Sequence, residues 1–388
     1  MTETLVIKNI GMILSGKLEA PILEGDCLVA VDGKIAAWGY QKDLDTEGAT
    51  TLVDAHGVTV SPGLIDSHVH PVVGDYTPRQ QQLHWIDSTL HGGVTTLISA
   101  GEVHMPGRPK DVVGLKAMAI AAQRWYENFR PSGVKVHAGA PVIEHGMVEQ
   151  DFIDLSQAGV TLLGEVGLGT VKDGKTAQEM VGWARKYGMQ STIHTGGPSI
   201  PGSGLIDADM VMETGTDVIG HINGGHSALP DDQILCLCEN CQAAFEIVHN
   251  GNERAAVLTV NTARELGKLD QVILGTDGPA GSGVQPLGIL RMIAMLSAFG
   301  NVPAEQAFCF GTGNTARQRA LDTGLIEVGF AADFVLLDQA QHAPGASMLK
   351  SVGQGNLPGV GMTIIDGVVR TERSRNTPPA MRLPELVV

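Results

Sequence analysis

Two histidines one residue apart close the apolar run Pro62-Gly63-Leu64-Ile65-Asp66-Ser67-His68-Val69-His70. Side chains alternate across a β-strand, so His68 and His70 share one side and can reach the same metal ion. A catalytic zinc usually takes three protein ligands and keeps one position for water, so the pair needs donors from elsewhere in the chain. Four short segments offer them: Glu165 in Gly164-Glu165-Val166-Gly167, His194 in Ile193-His194-Thr195-Gly196-Gly197, His221 in Gly220-His221-Ile222-Asn223-Gly224-Gly225 and Asp277 in Gly275-Thr276-Asp277-Gly278-Pro279. Singly, each has a commonplace reading. A lone histidine is more often a core group with a backbone partner, and a lone acid a helix cap. Six such side chains at strand ends would need six unrelated caps and core histidines to converge, so a metal centre is the stronger expectation.

The remaining histidines divide by position. His249, in Glu246-Ile247-Val248-His249-Asn250-Gly251, is expected to face a substrate, whereas His137 stands between a core and a pocket role. His104 and His226 fall in loops that follow strands. His84 and His91 belong to the first barrel helix, and His56 and His342 lie outside the barrel, so surface or packing roles are expected for these four.

The elements that must position the donors follow from alternation. β-Branched runs at 60–70, 94–101, 134–142, 161–167, 190–196, 217–224, 242–250 and 271–279 are separated by longer stretches, such as 111–129, 177–187, 253–267 and 287–299, with helical apolar spacing. Strand and helix in alternation predict an α/β fold with a parallel sheet, and eight units predict a closed (β/α)8 TIM barrel. Active sites of such barrels lie at the C-terminal ends of the strands, where the six candidates fall. Segments 31–39, 329–338 and 363–369 read as further strands flanking the barrel on both sides.

At 388 residues the chain is long enough to bury about 75% of the surface its unfolded form exposes. Lys plus Arg number 26 against 42 for Asp plus Glu, and a net charge of −16 argues against nucleic-acid or anionic-membrane partners. A small-molecule substrate is the default. No apolar run reaches membrane-spanning length. Five cysteines and no Arg/Lys-led apolar leader suit a reducing cytoplasm. Cys236, Cys238 and Cys241 sit in an amphipathic helical stretch without a second Cys/His group, so helix-face thiols are expected rather than a metal site.

The run from Pro62 to His70, with Glu165, His194, His221 and Asp277, resembles the metal-dependent amidohydrolase superfamily over nearly the whole chain. Segments 74–80, 90–96, 106–111, 194–197, 286–291 and 374–380 look like the branch that opens cyclic enamides. The resemblance implies a composite β-sandwich from residues 1–60 and 325–388, with a barrel hydrolase domain at 61–324. It implies two divalent metal ions, Zn2+ and Fe2+ or two Zn2+, with His68, His70 and Asp277 on one ion and His194 and His221 on the other. Many members bridge their metals with a carbamylated lysine on strand four; here Glu165 occupies that place and is expected to bridge. Asp277 would serve as base and then acid.

The implied substrate is 1,4,5,6-tetrahydro-6-oxonicotinate, hydrolysed to 2-formylglutarate and ammonia by a homotetramer. Its carboxylate requires a local cation in so acidic a protein; Arg79, Arg108, Lys110 and Arg291 are candidates, with Tyr76 as a hydrogen-bond donor. Rival readings are a hydrolase of another lactam or N-acyl amino acid, as in dihydropyrimidinase or D-aminoacylase, and a mononuclear deaminase. A non-enzymatic interaction protein on a relic barrel is disfavoured by the full donor set.

Overall fold

The computed structural model describes residues 2–72, 82–102, 105, 107–225, 227–279 and 283–388. Eight parallel strands carry the barrel: β1 (Leu64–Val69), β2 (Val94–Ser99), β3 (Lys135–His137), β4 (Leu162–Val166), β5 (Gln190–Ile193), β6 (Val218–Ile219), β7 (Ala244–Val248) and β8 (Val272–Gly275). Their ladders run β3-β2-β1 and β4-β5-β6-β7-β8, every pair parallel. β2, β4, β7 and β8 are buried along their whole length, as expected of strands covered on both faces.

The two ladders meet at two seams. At one, the Asp277 N–H donates to the His68 carbonyl and the His70 N–H to the Gly278 carbonyl, each at 2.9 Å. At the other, the Gly164 N–H reaches the Pro141 carbonyl at 3.0 Å and the Glu165 N–H the Ala100 carbonyl at 2.9 Å. A Cβ at Gly164 would lie 2.6 Å from the Ala140 oxygen and 2.9 Å from that of Ala100, so this approach needs glycine.

Helices α1 (Gln82–Leu90), α2 (Val112–Asn128), α3 (Glu149–Gln157), α4 (Gly174–Lys186), α5 (Ala208–Thr214), α6 (Asp231–Asn240), α7 (Glu253–Glu265) and α8 (Gly288–Phe299) follow their strands in turn. Asp111, Asp173, Asp207 and Asn252 cap α2, α4, α5 and α7 by accepting first-turn N–H groups that have no partner inside the helix. On α4, Ala177, Met180, Val181 and Ala184 form the buried stripe that faces the barrel. Two further helices, α9 (Ala304–Phe310) and α10 (Gly313–Gln318), lead out of the barrel. Among the described residues no helix is long and apolar enough to cross a membrane.

A composite β-sandwich takes strands from both chain ends. Its five-stranded sheet orders Glu385–Leu386, Thr51–Asp54, Thr4–Lys8, Cys27–Val31 and Lys34–Gly39; its six-stranded sheet orders Val368–Thr371, Gly359–Ile365, Phe334–Asp338, Thr59–Pro62, Met12–Leu14 and Ile22–Leu23. Leu5, Ile7, Leu28 and Val53 from the first sheet pack with Val60, Phe334, Met362 and Ile364 from the second in one apolar core.

The expected first barrel strand, residues 60–70, is two strands. Thr59–Pro62 pairs with Phe334–Asp338 in the sandwich, and β1 begins at Leu64. Gly63 makes the change of sheet: its N–H donates to the Asp333 carbonyl, and a Cβ there would fall 2.2 Å from the Thr95 hydroxyl. His91 also differs from expectation, lying in the turn after α1, where Arg375 donates to its Nε2 at 2.8 Å.

Candidate metal centre

The ends of five barrel strands converge on one buried cluster. His68 stands within β1 and His70 one residue past it; Glu165 lies in β4, His194 one residue past β5, and His221 and Asp277 two residues past β6 and β8. Val69 between the two histidines turns to the opposite side, as strand alternation requires. The four imidazoles and Glu165 are almost wholly buried, and the Asp277 side chain is 15% exposed.

Glu165 is central. Its Oε1 lies 2.7 Å from His221 Nε2, 3.3 Å from His194 Nδ1 and 3.7 Å from His68 Nε2, and its Oε2 lies 3.6 Å from His70 Nε2. Asp277 Oδ1 sits 3.0 Å from His70 Nε2 and 3.7 Å from His68 Nε2. Two sets of donors fall within metal-binding reach of one another: His68, His70 and Asp277, and His68, Glu165 and His221. His194 joins neither set; its Nε2 lies 2.8 Å from the Gly197 carbonyl while Nδ1 faces Glu165.

Outer contacts aim the rings. His70 donates from Nδ1 to the Gly101 carbonyl at 2.7 Å, and His68 from Nδ1 to Glu246 Oε2 at 2.5 Å, so both Nε2 atoms face the carboxylates. Asn250 donates to the Asp277 carbonyl at 2.7 Å, and buried Asp66 accepts from the Thr276 N–H and hydroxyl. Burial pushes the Asp66 carboxyl up to about 7. His221 and Asp277 adopt the left-handed backbone region, at φ 32° and 58°, which side chains other than glycine rarely occupy outside constrained sites.

The donor set fits divalent metal ions. His68 Nε2 and His221 Nδ1 are buried with no hydrogen-bond partner among the described residues, which is costly unless a further group is bound. Burial opposes charge on Glu165, but hydrogen bonds from His194 and His221 and the nearby His68 hold its carboxyl well below the usual range. Burial likewise opposes charge on His68, yet Glu246, Glu165 and Asp277 raise its pKa overall. Imidazoles and carboxylates gathered in one pocket suit zinc and iron(II).

The expected substrate contacts are more scattered. Arg108, after β2, is paired at 3.1 Å with Glu144, and both side chains are nearly buried. Arg291 is exposed in the first turns of α8. His249, just past β7, is half-buried, and its Nδ1 has no hydrogen-bond partner among the described residues. Tyr76, Arg79, His104 and His226 lie outside the described residues. His137 lines a cavity with Thr161, Gln190 and Arg319, beside the starts of β4 and β5 rather than the metal-facing strand ends. Cys236 and Cys238 lie on α6, and burial pushes the Cys238 thiol up to about 12. The cysteines join no metal-competent group among the described residues.

Sequence reading missed Glu246, Ser67 and Arg319, which lie behind His68. The available signal is a lone acid inside the apolar strand Ala244-Phe245-Glu246-Ile247-Val248, where a buried carboxylate needs a partner.

Comparison with known proteins agrees with this geometry. The model of the amidohydrolase family matches residues 59–370. The chain is 44% identical over 387 residues to the enamidase of Eubacterium barkeri, covering 100% of both chains. The solved enamidase structure superposes with a TM-score of 0.96, covering 99% of this chain and 100% of the other at 44% identity. A β-aspartyl dipeptidase from Fervidobacterium islandicum, 17% identical, shares the fold with a TM-score of 0.65 over 98% of this chain and 100% of the other. This chain belongs to the amidohydrolase family.

Proposed function

We propose that this protein hydrolyses the ring amide of a cyclic enamide bearing a carboxylate, 1,4,5,6-tetrahydro-6-oxonicotinate, to 2-formylglutarate and ammonia. The observation that carries the reading is the buried cluster of four histidines, Glu165 and Asp277 in a chain alike over its full length to the Eubacterium barkeri enamidase. One water opens the acyl C–N bond and leaves an enamine. A second hydrolyses the enamine, releasing ammonia and leaving the aldehyde.

His68, His70 and Asp277 would hold one divalent ion, His194 and His221 a second, and Glu165 both; zinc with iron, or two zincs, is the assignment. When bound, the pair lowers the pKa of a water and polarises the amide carbonyl. The close approach of His68 Nε2 to Glu165 and His221 lets that ring face either position. Burial opposes charge on Asp277, but the hydrogen bond to His70 and the surrounding imidazoles hold its carboxyl below the usual range, so it is ionised at neutral pH. It can therefore take a proton from the attacking water and deliver it to the amide nitrogen as the C–N bond breaks.

For the substrate carboxylate, Arg108 is already matched by Glu144, so the reading places recognition on Arg291 and His249; Tyr76 and Arg79, outside the described residues, are proposed as further contacts. A cytoplasmic location, consistent with five free thiols, and a homotetrameric assembly belong to the same proposal.

The test is the purified protein supplied with zinc and iron(II), assayed for bound metal and for ammonia released from the cyclic enamide. Stoichiometric metal and turnover are expected. Metal without turnover would redirect the reading to another lactam or N-acyl amino acid; a protein that takes up no metal would end it.

A further inference from the structure

We propose that Glu246 is a positioning residue for the metal centre: it holds the His68 ring by its Nδ1–H, so that Nε2 is the ligand atom, while Arg319 and Ser67 fix the carboxylate. This inference rests on the metal-binding reading above.

The contacts form one closed set inside the barrel. Glu246 Oε2 receives His68 Nδ1–H at 2.5 Å; Oε1 receives the Ser67 hydroxyl at 2.5 Å and Arg319 Nη2 at 3.0 Å. Arg319, which follows α10, donates from Nε to the Ser67 hydroxyl at 2.9 Å, from Nη2 to the Ser67 carbonyl at 3.0 Å and from Nη1 to the Thr192 hydroxyl at 3.2 Å. The side chains of His68 and Glu246 are 0% exposed and that of Arg319 is 2% exposed. The guanidinium just past α10 is thus locked to β1, β5 and β7, and the carboxylate it anchors touches a histidine that belongs to both candidate ligand sets.

A structural role alone explains this poorly. Burying an ion pair costs desolvation that apolar side chains of similar volume would avoid, so inside an otherwise apolar strand it is weak support for stability. Its geometry is more informative. The His68 ring is tethered at Nδ1, while Nε2 is buried and without a hydrogen-bond partner among the described residues. Rotating the ring by half a turn would break the Glu246 bond and withdraw the free nitrogen from the ligand set. His70 is oriented by the Gly101 carbonyl, which no side-chain substitution removes; His68 depends on a side chain.

Zinc affinity of the full-length protein, measured by competition with a chromophoric chelator at neutral pH, tests the proposal. Glu246→Gln is expected to weaken zinc binding about 10- to 100-fold, the usual effect of removing an outer partner from a ligating histidine. Ser67→Ala, which leaves the carboxylate in place, is expected to weaken it about fivefold, and it keeps the test open should the first variant fail to fold. Spectra of zinc-loaded, 15N-histidine-labelled protein supply a second readout, with His68 protonated at Nδ1 and metal-bound through Nε2. Folded variants that bind zinc as tightly as the wild type, even if they melt earlier, would overturn the positioning role and leave the metal reading intact. A wild type that binds no zinc would overturn both.

Discussion

Asp277 stands where the proposed chemistry makes its strictest demand. Its Oδ1 is 3.0 Å from His70 Nε2, its backbone N–H is bound to the His68 carbonyl and its own carbonyl to Asn250. The residue is therefore held at its carboxylate, its N–H and its carbonyl, in a left-handed backbone conformation that asparagine also tolerates. Asp277→Asn keeps an oxygen donor and the backbone shape but cannot carry a proton. The expected result is kcat lowered by roughly 10²- to 10⁴-fold with most bound metal retained, read from steady-state ammonia release and elemental analysis of the same sample. An unchanged rate would remove Asp277 from the proton path.

At the scale of elements, the site depends on how the two ladders join. β8 meets β1 through the backbone groups of His68, His70, Asp277 and Gly278, so the seam supplies the whole of one candidate ligand set and His68 of the other. Across the barrel, β4 reaches β2 and β3 only because Gly164 has no side chain, and Glu165 is the next residue. Gly164→Ala would press a methyl against two carbonyl oxygens. It is expected to cost about 1–3 kcal/mol of stability, seen as a lower denaturation midpoint, and to lower turnover by displacing Glu165. Gly182→Ala, at a helical glycine with nothing within 4 Å of the added methyl, is the control and is expected to be neutral or mildly stabilising.

At the scale of the molecule, barrel and sandwich are tied by charge as well as by the passage through Gly63. Lys135 on β3 lies 2.7 Å from both Asp333 Oδ2 and Asp366 Oδ1, and Arg130 lies 2.8 Å from Asp366 Oδ2. Burial raises the Asp366 pKa, but Lys135 and Arg130 outweigh it and set the group below its ordinary 3.8. A depressed carboxyl contributes stability that is present above its unfolded value and is lost as pH falls through its folded value. Asp366→Asn should therefore melt at a lower temperature than the wild type at neutral pH, with the gap closing as pH falls below about 4. A gap that stays constant as the pH is lowered would show that the pair does not stabilise the joint.

The alternation of strands and helices, the His68-Val69-His70 pair and the four later donors were legible in the sequence because they are local. Strand periodicity puts His68 and His70 on one side wherever the strand lies, and a parallel barrel gathers its strand ends at one mouth. The break at Gly63 was not legible, because whether Thr59–Pro62 pairs with the barrel or the sandwich depends on Phe334–Asp338, more than 270 positions away. Nor could sequence show that His194 turns its Nε2 to Gly197, that Arg108 is matched by Glu144, or that Glu246 and Arg319 hold His68 from behind. Residue types and spacing determined which chemistry the chain can support. Only the tertiary structure decided which nitrogen of each ring faces inward and which cations are already partnered, since a buried polar group takes its role from neighbours brought to it by distant parts of the chain.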